Sequence, residues 1–400
     1  MENKRFPILS DDKSCTGCMA CVNVCHSNAL QISKNSEGFY RPSLASDRCV
    51  KCYSCENVCP VLNPPEKNKL CDINAFAGWH VNSDIRRESS SGGAFSAFAE
   101  SILANGGVVY GAAWMDNFQI EHIGISNSND LKKLRLSKYA QSYIGLTMRQ
   151  VKEKLKEGLP VLFVGTPCQV AGLRNFLQRD YDNLYTVDFV CHGVPSIKFL
   201  QKYIQWVEEQ EGHIVSISFR DKRKGWYDNV RVVKNSLGQE KVLCGKKDCY
   251  WVAFNSNNNL QMSCYQCETQ GFPRLSDVTI ADFWGIGKVI PYGHKDEIEN
   301  GISLIVINNS RGEGLLNSSK HLLSIEPRPL KEAIGSNISS IKSSSMPSSR
   351  CSIYEDLDQL TFDDFRRKYM RVSKKQGLVK FMREYLPYGL IKSIRLMGQK

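Results

Sequence analysis

Eight cysteines in the first sixty residues fall into two copies of one spacing, C-x2-C-x2-C-x3-C. The first copy is Cys15, Cys18, Cys21 and Cys25; the second is Cys49, Cys52, Cys55 and Cys59, followed by Pro60. Three thiolates two residues apart sit on one tight loop and cap three corners of a cubane. The fourth ligand must come from outside that loop, and two paired runs supply it reciprocally, the last cysteine of each crossing to the other cluster. The pattern therefore predicts two 4Fe–4S clusters, one on Cys15, Cys18, Cys21 and Cys59 and one on Cys49, Cys52, Cys55 and Cys25. Zinc sites pair C-x2-C units and leave no use for a third close cysteine. Disulfides would need an oxidising compartment. His26 stands where proline usually follows the fourth cysteine, which changes a turn and removes no ligand.

Such a unit needs only about 60 residues, and the chain has 400, so two or three domains are expected. Residues 1–62 read as a bacterial-type two-cluster ferredoxin domain with an α+β ferredoxin-like fold. The stretches ALQIS and FYRPSL around KNSEG form its hairpin. Residues 63–72 are a Pro- and Lys-rich linker. Residues 73–335 alternate apolar strands (AFAGWHV, VVYGAAW, EHIGIS, PVLFVG, LYTVDFVC) with amphipathic helices (TMRQVKEKLKEG, TPCQVAGLRNFLQR, PSIKFLQKYIQWVEEQ), the pattern of an α/β domain with a mostly parallel sheet. Residues 336–400 are a serine-rich linker and a helical tail.

The start, MENKRFPILSDDKSC, has no apolar core of a signal peptide, and no stretch approaches the roughly 18 apolar residues of a membrane span. Sixteen cysteines without an export signal point to metal sites in a reducing cytoplasm. The net charge of +11 is spread along the chain. It suits an acidic electron carrier or a small anionic organic substrate, and no nucleic-acid motif accompanies it.

Beyond the repeat, Cys168 follows the strand PVLFVG at the second position of a helix. Thr166 is its N-cap, Pro167 fits the first turn and Gln169 completes a T-x-x-Q capping box. A thiol there is expected to lose its proton more readily. One strand later LYTVDFV ends in Cys191-His192-Gly193, so two strands end in cysteine on the edge where α/β ligand sites lie. With the pair Cys264 and Cys267 these could ligate a third 4Fe–4S cluster. They are equally readable as inert buried thiols, a zinc pair or a redox dithiol. Cys249 is a substitute ligand; Cys71, Cys244 and Cys351 follow no spacing rule.

Ser89, Ser90, Ser91, Gly92 and Gly93 precede a helix and are either a phosphate cradle or a routine cap. The run from Phe219 to Trp226, with Arg220 and Lys222, is either an anion-holding loop or a solvated turn. Asp282 at the end of an apolar strand needs a partner if buried.

These pieces together (SSSGGAFSAFA, KYAQSYIG, VLFVGTPCQVAGL, VDFVCHGVPS, SFRDKRKGW, CYQC and DVTIADFWGIG) resemble the family formed by the beta subunits of coenzyme F-420 hydrogenases and dehydrogenases, over about residues 74–310. The resemblance implies an iron–sulfur flavoprotein oxidoreductase with FAD. Its partners would be a ferredoxin-like or deazaflavin electron carrier and an organic substrate. It makes Cys168, Cys191, Cys264 and Cys267 ligands of a third cluster. It also places Ser90, Ser91, Gly92, Gly93, Lys138 and Tyr139 near the flavin, with Arg220 and Lys222 orienting an anion. Fused versions accompany surface-polysaccharide synthesis in bacteria. Two rival readings are an electron-transfer protein without its own substrate and a redox sensor. The sensor would act through the basic C-terminal helix with Leu390, Ile391, Ile394 and Leu396, which could instead touch an acidic membrane surface.

Overall fold

The computed structural model describes residues 5–227, 230–243, 248–335, 337, 339 and 341–370. The C-terminal helix with Leu390 and its neighbours, and Cys244, lie outside the described residues.

The N-terminal repeat is visible in the backbone. Gly17 and Lys51, 34 residues apart, both adopt positive φ (70° and 55°), as do Met19 and Tyr53 (63° each). The same left-handed kinks thus shape both cysteine loops and launch the short helices α1 (Ala20–Val24) and, in the second copy, α2 (Ser54–Asn57). Between them β1 (Leu30–Lys34) and β2 (Tyr40–Leu44) pair antiparallel, the hairpin expected around KNSEG. This two-stranded ribbon is all the sheet found there among the described residues.

The chain then runs through β3 (Asn74–His80), α3 (Ser83–Arg87), α4 (Ala94–Ala104), β4 (Val108–Trp114), β5 (Ile120–Ile125), α5 (Leu131–Leu134) and α6 (Thr147–Lys156). It continues with β6 (Val161–Val164), α7 (Pro167–Leu177), β7 (Leu184–Phe189) and α8 (Ile197–Glu211). Next come a three-stranded antiparallel sheet, β8 (Ile214–Asp221), β9 (Val230–Asn235) and β10 (Glu240–Leu243), and the helix α9 (Cys249–Asn255). Last are β11 (Val278–Asp282), β12 (Ser303–Ile307), α10 (Ser310–Ser319), β13 (Leu323–Arg328), α11 (Leu330–Gly335), α12 (Ile353–Gln359) and α13 (Phe362–Tyr369).

The main sheet has the order β13-β3-β12-β11-β7-β6-β4-β5. Only its centre, β4, β6, β7 and β11, is parallel. The other four pairings are antiparallel, so the sheet is mixed and not mostly parallel as the strand–helix alternation suggests. The reason is connection length and content. A short turn joins β4 to β5, and no α-helix separates β11 from β12, whereas a parallel return needs a crossover.

One apolar core joins the N-terminal unit to the sheet. Met19, Val22 and Phe39 bury into the same cluster as Met148 and Val151 of α6 and Val170, Leu173 and Phe176 of α7. Polar clamps reinforce the seam. Arg149 donates to the carbonyls of Asn23 (2.6 Å), Val22 (3.3 Å) and Cys25 (2.7 Å), and Asn23 donates to Gly145 O (2.9 Å). The helices α12 and α13 pack on α8 through Phe199, Tyr354 and Phe365. The neighbouring Arg350 reaches back to the β1–β2 turn, donating to both oxygens of Glu37.

Candidate redox site

The cysteines gather into three groups. Cys15, Cys18, Cys21 and Cys59 ring one small cavity together with Leu9, Met19, Pro42 and Pro60. Cys25, Cys49, Cys52 and Cys55 ring a second. In each, three thiols come from one run and the fourth from the other, the crossed arrangement that the spacing predicts. Cys168, Cys191, Cys264 and Cys267 form the third group. Burial pushes Cys168 up to about 12 and Cys191 well above its ordinary value, and the other thiols of the group add to it in both. Val194 N–H donates to Cys264 Sγ (3.3 Å), and Thr166 Oγ1 lies 3.0 Å from Cys168 Sγ.

Cys168 does sit in the first turn of α7, with Gln169 Oε1 accepting from Thr166 N–H (2.9 Å). The expected drop in its pKa does not follow, because burial among other thiols outweighs the helix end. Among the described residues no three His, Cys, Asp or Glu side chains converge on a single-ion position. In the first two groups four thiols surround a small apolar cavity, a donor set that suits a 4Fe–4S cubane. Cys249 stays apart, buried beside Asp248 on α9.

The groups stand in sequence. α1 carries Cys21 of the first group and ends at Cys25 of the second, and Cys18 packs against α7, whose first turn holds Cys168. Gly172 of α7 marks the last junction: a Cβ there would lie 2.8 Å from Cys18 Cβ and Sγ. Only glycine lets α7 come this close to the first cysteine loop.

The third group borders a cavity of about 580 Å³ above the ends of β6, β7 and β11, into which Cys168 and Cys191 also face. Ser90, Ser91 and Gly93 line it at the start of α4, whose N-cap Gly93 (φ 94°) has no side chain to cap the helix. Gly92 does not line it. A Cβ on Gly92 would meet Gly78 O at 2.4 Å and Ser303 N at 2.6 Å, so this glycine lets the loop lie on the sheet. Ser90 Oγ accepts from Ser137 N–H (2.9 Å), which joins the α4 loop to the segment of Lys138 and Tyr139. Lys138 lines the cavity, and its ammonium donates to the carbonyls of Leu134, Arg135 and Leu136; burial lowers it to about 7. Tyr139 is boxed edge-on by Phe219, Trp251 and Phe254 at 4.9–5.4 Å.

Arg220 and Lys222 have separate roles. Arg220 lines the cavity and forms a two-pronged pair with Asp282 (2.7 and 2.8 Å), while reaching Tyr139 Oη (3.3 Å) and Ser90 O (3.1 Å). Burial opposes its charge, but Asp282 and Tyr139 outweigh that and raise its pKa. Asp282, at the end of β11, thus has its partner, and Trp226 Nε1 donates to it as well (2.8 Å). Lys222 is taken up by three carbonyls, of Arg86, Ser91 and Asn300, away from the cavity lining.

Sequence reasoning missed His122, Gln141 and Gln261, which also line the cavity. His122 Nε2–H donates to Val164 O (3.1 Å), and burial lowers the ring to about 4, keeping it neutral. A lone polar residue on an alternating strand carries no motif that could have flagged it.

Two family models match the chain. Residues 14–63 match the 4Fe-4S dicluster domain, which makes the chain an iron–sulfur protein of the electron-transfer oxidoreductase class. Residues 159–333 match the C terminus of the beta subunit of coenzyme F-420 hydrogenase/dehydrogenase, so the chain carries that C-terminal domain behind its dicluster domain. It is similar to the F component of the F(420)H(2) dehydrogenase of Methanosarcina mazei, 25% identical over 52% of this chain and 67% of the relative. It is also similar to the ferredoxin-type protein NapF of Escherichia coli, 37% identical over 18% of this chain and 46% of NapF. One chain of the F-420-reducing nickel–iron hydrogenase complex from Methanosarcina barkeri aligns at 16% identity and a TM-score of 0.44, covering 76% of this chain and 91% of that one. Among the described residues no helix is long and apolar enough to cross a membrane.

Proposed function

We propose that the chain is an FAD-dependent iron–sulfur oxidoreductase with three 4Fe–4S clusters, working between a one-electron carrier and a small organic substrate or deazaflavin coenzyme. The observation that carries this reading is the row of three four-cysteine cages ending at one cavity of about 580 Å³. That volume lies within the ordinary range for cofactor sites, and the lining mixes aromatic rings with a few polar groups. The thiols fit clusters by number, chemistry and burial. When bound, clusters supply one-electron transfer and a flavin supplies two-electron exchange with an organic partner.

The chain's own residues position and insulate. Ser90, Ser91 and the start of α4 at Gly93, where Ser303 Oγ takes the Ala94 N–H (3.5 Å) and the next N–H is left, would hold an anionic part of the cofactor, since helix N–H groups favour negative charge. Lys138, its ammonium taken up by the carbonyls of Leu134, Arg135 and Leu136, fixes the same wall, and Tyr139 offers an apolar ring whose hydroxyl Arg220 holds in place. The box of Phe219, Trp251 and Phe254 keeps water from that ring. Because Asp282 already pairs with Arg220, the role left to this guanidinium is to orient Tyr139 and the Ser90 loop. The thiols must shed their protons on loading, so cluster assembly is favoured by rising pH.

Iron, acid-labile sulfide and flavin per chain, measured on anaerobically purified protein, test the reading. About twelve irons and one FAD are expected. About eight irons and no flavin would replace it with an electron carrier lacking a substrate of its own.

A further inference from the structure

Two of the cages are bridged by a buried cation. Arg41, the second residue of β2, is 7% exposed. Its Nε donates to Asp12 Oδ1 (2.7 Å), Nη2 to Asp12 O (3.3 Å), and Nη1 to Tyr40 O (3.0 Å) and Gln261 Oε1 (3.5 Å). Gln261, 2% exposed, donates from Nε2 to the carbonyl of Thr16 (3.3 Å), the residue after Cys15. The Gln261 carbonyl accepts from the N–H of Cys264 (3.0 Å). One guanidinium and one amide therefore tie the loop of the first cage to the loop of the third. Gly17 allows the approach: a Cβ there would lie 2.3 Å from Gln141 Nε2 and 3.4 Å from Arg41 Nη1. Burial raises both Cys15 and Cys264, and in both the charge of Arg41 acts the other way.

A loaded cage carries net negative charge, and each added electron increases it. A buried cation nearby favours the reduced form, strongly because little water screens it. Its counter-ion Asp12 is 59% exposed at the side chain, so solvent weakens the opposing effect. Among the described residues the one cation lining the cavity of Cys25, Cys49, Cys55 and the exposed Cys52 is Lys51, which lies over the Phe6 ring, and Arg149 meets this cage at the backbone carbonyl of Cys25 while its other bonds go to Val22 and Asn23.

We propose that Arg41 is a positioning residue for electron transfer, its guanidinium raising the reduction potentials of the cages of Cys15 and Cys264 relative to the cage of Cys49. This rests on the cluster reading above. It gives electrons entering at the exposed cage a downhill direction toward the cavity.

The test is an anaerobic redox titration of the full chain followed by electron paramagnetic resonance, with iron and sulfide measured on each sample. Arg41→Gln is expected to lower two of the three potentials and leave the third in place; Arg41→Lys should keep them near wild type. Asp12→Asn, at an exposed position, should shift the same two upward and decides the matter if Arg41→Gln does not fold. A wild type without its iron overturns the cluster reading itself. Full iron with all potentials unmoved in Asp12→Asn and Arg41→Gln, or all three moved equally, overturns the role of Arg41.

Discussion

The first two cages and the third each gather four thiols but are built in opposite ways. The first two come from a contiguous segment whose loops repeat the same backbone kinks at Gly17 and Lys51 and at Met19 and Tyr53. Their ligands are near in sequence, so little loop closure is needed to gather them. The third takes Cys168 from the first turn of α7 behind β6, Cys191 from just past the end of β7 and the Cys264–Cys267 pair from a segment after α9. It exists only when the parallel centre of the sheet is in register. A local cage survives change elsewhere, whereas a non-local one reports on the whole fold.

Four measurements would break or sharpen that contrast. The largest effect is expected from Cys168→Ser, which should remove about four of about twelve irons and abolish exchange between the flavin and the remaining clusters. Full iron and turnover in that variant would undo the third cage. Next, Arg149→Ala removes three hydrogen bonds from a charged donor at the seam and should cost about 2–4 kcal/mol in urea unfolding. A loss below about 0.5 kcal/mol would mean that apolar packing alone joins the N-terminal unit to the sheet. Gly172→Ala forces a methyl against Cys18 and should cost about 1–3 kcal/mol, with slower transfer between the first and third cages. The smallest effect concerns pH. His122 is held neutral by burial, near 4 when folded against about 6.5 when unfolded. Its folded pKa is the lower one, so the unfolded chain takes up the proton first and stability falls as pH drops from 6.5 toward 4. Between pH 7 and 5.5 the wild type should lose about 1 kcal/mol more than His122→Phe; equal losses would show that the ring is solvated.

What could be read from the sequence follows the same division. The repeat from Cys15 to Cys59 gave its ligand grouping directly, because spacing alone dictates which thiols share a loop. The alternation of strands and helices gave the α/β class but not strand direction. Nothing in the periodicity of VTIAD or SLIVI says that β11 and β12 run opposite ways; the missing crossover helix decides it. Cys168 and Cys191 were legible as strand ends, and the structure brings them together with Cys264 and Cys267. Arg220 and Asp282 stood out singly, yet their pairing spans two sheets and no spacing encodes it. Lys222 looked like an anion holder because a basic run gives no hint of three carbonyls closing on one ammonium. Arg41 and Gln261 passed unnoticed, since their meaning lies in a bridge between loops 220 residues apart.

The clasp between Arg350 and Glu37 has a consequence for how the protein is made. The two residues are 313 positions apart, and Arg350 is buried when they meet. At a synthesis rate of roughly 5–20 residues per second, the hairpin between the two cysteine runs waits about 15–60 s for its partner to leave the ribosome. During that interval all eight N-terminal thiols have been translated while the late helices that cover α8 have not. Both cysteine loops are thus complete before the segment that closes over their hairpin has been made.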